Sequence, residues 1–482
     1  MAARDVGVTV LPEFFQNEGA EAVLDNLVAR AEITAVATSP YVMAPVADGQ
    51  GSREPPIDAG AGKVRLLDRP LWGRRELFVR TAPSYAPDRS LYAGLRYQPA
   101  EPDALTKAEG AVVARAIEAA KARGLAVHLQ VQAAIPPGYR VQFGGPVEED
   151  RPCLPDGTGP AVRVDNNGSL ASPHILAYTK ALIRDLVRAY PDIDALRIDW
   201  PEYPPYSLDA LFFDFSPHAV AAMAEHGFDP ERIRHDVATV RERVTKGLGG
   251  QDLARVLAVG FDGAAARRLL DEHPGVRDWL AAKAGIVTRF IAACAATLRE
   301  ASGGRIGLVP QAFPPPWCWL SGFDYRAVAG LGVEAIGTKL YSMHWPMMVR
   351  AYGDALAQAN PGITDDPRLG PAIAKALDIA DDPMRYAPLG AVRYPEPEEP
   401  HPVGAAAQAR KVALAQAEAG AVPVYAFAHG YGPVEDFAAR ATVAFEAAHG
   451  RLWVNRYGYL SDEKIDALGR LGRGVDLRRA SA

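Results

Sequence analysis

Short β-rich runs alternate with amphipathic helical runs along almost the whole chain, and this alternation constrains the fold more than any other feature. Strands are expected near 7–12, 33–38, 125–132, 195–200, 305–311, 335–341, 422–428 and 451–456. Helices are expected near 19–30, 105–123, 174–189, 276–301, 346–359, 405–419 and 435–448. Apolar residues recur with period two in the first set and about every 3.6 residues in the second. Ser172-Pro173 is an N-cap followed by proline at the first helical position. Gly124 and Gly303-Gly304 stand where helix C-termini are expected, each just before a strand. Eight strands in βα order predict an α/β fold, a (β/α)8 TIM barrel. A doubly wound sheet has the same order but usually carries a glycine-rich phosphate loop after its first strand. Here Pro12-Glu13-Phe14-Phe15 follows instead.

The 482 residues exceed what a bare barrel needs. A single barrel domain over 1–482 is expected, with insertions at about 44–104, 203–275 and 360–404. These follow the second, fourth and sixth strands, so they emerge at the face where barrel active sites sit. The Pro- and acid-rich run from Tyr394 to Pro402 reads as a solvated loop.

A net charge of −6 without a basic stripe argues against a nucleic-acid partner. Cys153, Cys294 and Cys318 have neither zinc spacing nor a disulfide pattern, which fits a reducing compartment. No basic and apolar leader precedes Val8-Thr9-Val10-Leu11. The most apolar helical run, 279–299, is interrupted by Lys283, Thr288 and Arg289, so no membrane span is expected. The expectation is a cytoplasmic protein with no membrane partner, no cofactor and no metal; a homo-oligomer stays open.

Strand faces locate a pocket. Leu196, Ile198 and Trp200 alternate with Arg197 and Asp199, so the apolar set packs on helices and the polar pair points into the barrel. The third strand sets His128, Gln130 and Gln132 against Val127, Leu129 and Val131. Lys339 and Tyr341 face inward from the sixth strand, Gln311 ends the fifth, and Thr9, Leu11 and Glu13 share a face of the first. Converging polar groups are costly to bury unless they pair or meet a polar ligand.

Asp199 and Glu202 are the expected catalytic carboxylates. Arg197 beside Asp199 favours the ionised form, which suits a nucleophile or a stabiliser of an oxocarbenium-like transition state. Glu202 lies between Pro201 and Tyr203, and a carboxyl among apolar groups has the raised pKa that a general acid requires. Asp324 is an alternative second carboxylate. Expected substrate contacts are Glu13, Tyr41, Gln132, Arg197, Trp200, Tyr203, Gln311, Trp317, Lys339, Tyr341, His344 and His429. The aromatic rings among them suit the C–H faces of sugars.

At Asp199-Trp200-Pro201-Glu202-Tyr203-Pro204 the chain resembles the broad set of glycoside-hydrolase-like (β/α)8 proteins. In these the fourth strand ends in an Asp, an aromatic residue and a Tyr/Phe-Pro turn. Asn166-Asn167 also resembles that group. Phe213-Asp214-Phe215-Ser216-Pro217-His218 stands where members often carry a Phe-Cys-x-Cys-x-x-Cys segment, and it has no cysteine. The resemblance implies sugar chemistry on a small carbohydrate or glycoside. Two other functions fit the same barrel. One is a metal-dependent sugar isomerase or epimerase using Glu13, His128 and Asp199. The other is a carbohydrate-binding barrel without turnover.

Overall fold

The computed structural model describes residues 4–57, 65–159, 167–260 and 263–472, with side chains from 266 in the last stretch. Eleven strands occur among them: β1 (Asp5–Thr9), β2 (Ala35–Thr38), β3 (Tyr41–Pro45), β4 (Ser52–Glu54), β5 (Leu77–Pro83), β6 (Ala126–Gln132), β7 (Ala195–Asp199), β8 (Gly307–Ala312), β9 (Ile336–Leu340), β10 (Val424–His429) and β11 (Arg451–Asn455). Eight of them close a parallel barrel in the order β1-β2-β6-β7-β8-β9-β10-β11, with β11 returning to β1. These are the eight strands expected from the sequence. The intervening β3, β4 and β5 form a small antiparallel sheet with β5 in the middle.

Local signals explain most helix boundaries. Ser172 accepts from the backbone N–H groups of His174 and Ile175 and starts the helix Pro173–Ala189. Gly124, Gly303 and Gly304 take positive φ where helices stop. Gly110 divides the helix expected over 105–123 into Ala104–Glu109 and Ala111–Ala122. A side chain there would press on the carbonyl oxygens of Thr106 and Ser84, at 2.5 and 2.6 Å. The first strand corrects another expectation. It ends at Thr9, and Pro12 opens a helix, Pro12–Glu18, because proline suits the first helical position. Glu13 therefore lies in a helical turn and not on the strand face with Thr9.

The helix Pro274–Ser302 is the one helix among the described residues that is long and apolar enough to cross a bilayer. Here its apolar stripe, including Trp279, Ile286, Phe290, Ile291 and Leu298, is buried against the protein. It packs on the helices Pro173–Ala189 and Pro230–Lys246 and on β8.

Register sets the levels inside the barrel. Gln132 pairs with Asp199, and Asp199 with Gln311, so these residues share one level near the strand ends. Arg197 is one level deeper. Its guanidinium lies over Trp453 at 3.3 Å and Phe427 at 4.9 Å, while those rings stack at 6.1 Å. Glycines make room for the rings. A Cβ at Gly7 would sit 2.4 Å from Trp453, and one at Gly337 would sit 2.5 Å from Phe427. The barrel floor is thus a cation between aromatic faces, capped by polar side chains.

Candidate active site

A cavity of about 120 Å³ opens at the C-terminal ends of the barrel strands. Asp199 is the one carboxylate on its wall among the described residues. The strand β7 delivers it there, and two neighbours hold it. Lys339 Nζ, on β9, lies 2.7 Å from one carboxylate oxygen. Gln132 Nε2, on β6, donates to the other at 3.3 Å. Lys339 is itself sealed from solvent, with its ammonium over the rings of Trp200 and Phe313 at 4.8 and 5.2 Å.

The expected Arg197–Asp199 pair does not form. Two residues along a strand share a face but differ by about 7 Å in depth. Arg197 donates instead to His128 Nδ1 at 3.1 Å and Thr9 Oγ1 at 3.3 Å, below the cavity. Burial and the nearby Arg197 charge push the His128 pKa well down, so its imidazole accepts from the guanidinium as a neutral ring. Lys339 supplies the countercharge for Asp199.

Trp200 follows Asp199 directly and adopts φ +54°. An aromatic residue in the left-handed region costs roughly 1 kcal/mol or more. Strand alternation puts the Trp200 ring on the helix side, but β7 ends at Asp199 and the turn aims the ring at the cavity instead, where Tyr206, Tyr341 and His344 add to the wall. Tyr206 Oη and His344 Nδ1 are 3.2 Å apart, and Asn455 Nδ2 donates to Tyr341 Oη at 3.0 Å. His429 faces the cavity from β10, with Arg65 Nη1 2.8 Å from its Nε2. Burial, and then the charge of Arg65, lowers the His429 pKa well below the usual imidazole value.

The cavity thus gathers Asp199, Gln132, Trp200, Tyr341, His344 and His429 from the residues expected in the sequence. The others do not line it. Glu202 is fully buried, and its two oxygens accept from the Phe313 backbone N–H at 2.7 Å and from Ser321 Oγ. Burial pushes its pKa up to about 7, with Lys339 opposing. The raised pKa matches expectation, but the position does not match that of an acid in contact with substrate. Tyr203 donates to Asp214 and accepts from the Leu170 N–H. Gln311 donates to Gln130 Oε1, and Trp317 is enclosed against Trp345 at 5.4 Å. Asp324 caps a short helix through the Ala327 N–H and is not on the wall.

Glu13 and Tyr41 belong to a buried ion cluster beside the cavity. Tyr41 Oη donates to Glu13 at 3.0 Å. Glu54 accepts from Arg140 at 2.6 Å and from Arg456 at 2.5 Å. Burial, followed by the Glu54 charge, raises the Glu13 pKa. Burial would raise Glu54 too, but Arg140 and Arg456 outweigh it and leave its pKa lowered.

Arg65, Arg140 and Arg456 all line the cavity, and sequence reasoning missed them. Arg456 directly follows the last barrel strand, as Trp200 follows β7. Arg140 sits in the segment between β6 and the helix Pro173–Ala189, which was not counted among the long insertions. Among the described residues, Asp150, His174 and His218 are the group close enough to share a metal ion. None of them lines the cavity, and Asp150 is already occupied by Tyr97, Arg96, Ser172 and His218. The set Glu13, His128 and Asp199 is not assembled around one point: each is engaged with different partners. Asn167 Nδ2 donates to the Trp200 carbonyl at 3.4 Å, while Asn166 lies outside the described residues.

No known family profile and no curated protein sequence matches this chain. Solved structures do resemble it in shape. The catalytic domain of a β-amylase from Paenibacillus polymyxa is 11% identical, with a TM-score of 0.47 over 96% of this chain and 94% of the other. A β-galactosidase from the psychrophilic Marinomonas ef1 is 13% identical, with a TM-score of 0.46 over 97% of this chain. This chain spans 56% of that enzyme's length. A class V chitinase from Pseudomonas fluorescens Pf-5 is 10% identical, with a TM-score of 0.40 over 97% and 98% of the two chains.

Proposed function

We propose that the chain is a glycoside-hydrolase-like enzyme acting on a small carbohydrate, with Asp199 as its catalytic carboxylate. The observation that carries this reading is the placement of Asp199, a carboxylate held by Lys339 and Gln132 at the wall of a polar and aromatic cavity. A fixed negative charge there can attack an anomeric carbon or stabilise an oxocarbenium-like transition state. Gln132 Oε1 and Trp200 Nε1 support the reading: both are buried and make no hydrogen bond among the described residues. Buried polar atoms normally have partners, and sugar hydroxyls would supply them. Glu202 takes a positioning role, tying the turn after β7 to the segment after β8 through Phe313 and Ser321.

One observation favours a second reading, a sugar-binding barrel without turnover. Glycoside hydrolysis ordinarily uses two carboxyl groups, and the described wall carries one. A screen of aryl glycosides of both anomers separates the two. The enzyme reading predicts turnover by the natural chain and a fall in kcat of about 10²–10⁴ in Asp199→Asn, with Glu202→Gln retaining most activity. Undiminished turnover in Asp199→Asn removes the assignment. Sugar binding with no turnover of any glycoside in the screen establishes the binder.

A further inference from the structure

At one end of the cavity wall two guanidinium groups converge, those of Arg140 and Arg456. Arg140 and Arg456 both reach the cavity, and between them stands a single fully engaged carboxylate, Glu54. The other acid nearby, Glu13, is farther from both, at 3.4 Å from Arg140 and 3.7 Å from Arg456. Burial holds the Glu13 carboxyl toward its neutral form, which weakens its claim on either guanidinium. Arg456 Nη1 is buried and makes no hydrogen bond among the described residues. Asp199 is already paired with Lys339. A neutral sugar would leave the Arg456 Nη1 donor poorly matched in a poorly solvated place, which is costly.

We infer that the Arg140–Arg456 end of the cavity binds an anionic group of the substrate, so that the sugar is a charged one, bearing a carboxylate or a phosphate ester. Guanidinium groups present paired N–H donors that match either oxyanion. Glu54 holds the two arginines in place, and its own oxygens are saturated by them and by Gln142. The assignment deepens the carbohydrate reading above and rests on it for the identity of the sugar frame.

The test is calorimetric titration of the full chain with matched free sugars in the gluco and galacto series: neutral hexose, hexuronate and hexose 6-phosphate. The uronate or the phosphate binds about ten- to a hundredfold tighter than the hexose, and the advantage shrinks at high ionic strength. Which of the two anions shows it identifies the oxyanion. Arg456→Gln and Arg140→Gln abolish the advantage, while Arg456→Lys keeps part of it. Should the glutamine variants not fold, the charged-to-neutral ratio of the natural chain decides alone. Equal affinity for charged and neutral sugars, or no measurable binding of either anionic series, overturns the inference. Tight anion binding with no glycoside turned over removes the hydrolase reading and leaves this one. Turnover of neutral glycosides without any charge preference does the reverse.

Discussion

Glu202→Gln probes the polar shell beneath the site through the pH dependence of stability. In the folded chain burial lifts the Glu202 pKa from 4.5 to about 7. The native state therefore holds this proton more tightly than the unfolded chain does. Its contribution to stability is complete below about pH 4.5 and is lost as pH rises through 7. A shift of that size corresponds to about 3 kcal/mol. Glutamine keeps an acceptor for the Phe313 N–H and removes the titration; the hydroxyl of Ser321 can turn to accept from the new amide. Lys283, pulled down to about 7 by burial, is held up partly by the charge on Glu202. At low pH Glu202 is itself protonated and gives no such support, so Lys283 leaves that end of the comparison unchanged. Urea unfolding of both chains at pH values from below 5 to above 8 gives the comparison. The stability of the natural chain minus that of the variant should fall by about 3 kcal/mol across this range and level off above pH 8. A difference that is flat, or that rises with pH, refutes the argument that Glu202 is buried and protonated at low pH.

Other perturbations test separate parts of the account. Gly337→Ala drives a methyl group into Phe427, and thermal unfolding should show a loss of about 1–3 kcal/mol. Lys339→Met leaves the Asp199 carboxylate without its countercharge, so denaturant unfolding should report a loss of about 3–5 kcal/mol. Turnover should fall with it. Ser172→Ala removes both the N-cap of the helix Pro173–Ala189 and a hydrogen bond to Asp150, for a loss of about 1–2 kcal/mol in the same assay.

The barrel was legible because its strands and helices obey local rules. Period-two runs, Ser172-Pro173 and the glycines before strands each act within a few residues, and all eight barrel strands appear where those signals put them. Asp199, Gln132 and Tyr341 were legible for the same reason: strand alternation fixes which face a residue takes. Depth was not. Nothing local distinguishes Arg197, which is sunk among Trp453 and Phe427, from Asp199 one level above it. Loop residues were the least legible. Glu202 and Tyr203 lie in a turn whose path is set by Ser321, Phe313 and Asp214, which are distant in sequence. Arg65 and Arg140 reach the cavity from long connections that carry no periodic signal. Glu13 left the strand face because Pro12 starts a helix, a rule that was available and outweighed the β-rich run before it.

The central claim is that the Asp199 carboxylate itself takes part in bond cleavage. Adding azide to Asp199→Ala with an activated aryl glycoside tests it most directly, since a small anion can enter the space the carboxylate leaves. The account predicts that the variant is folded and nearly inactive, and that azide restores release of the aryl group while a glycosyl azide accumulates. A folded Asp199→Ala that cleaves the glycoside as fast as the natural chain, with azide making no difference, would contradict it.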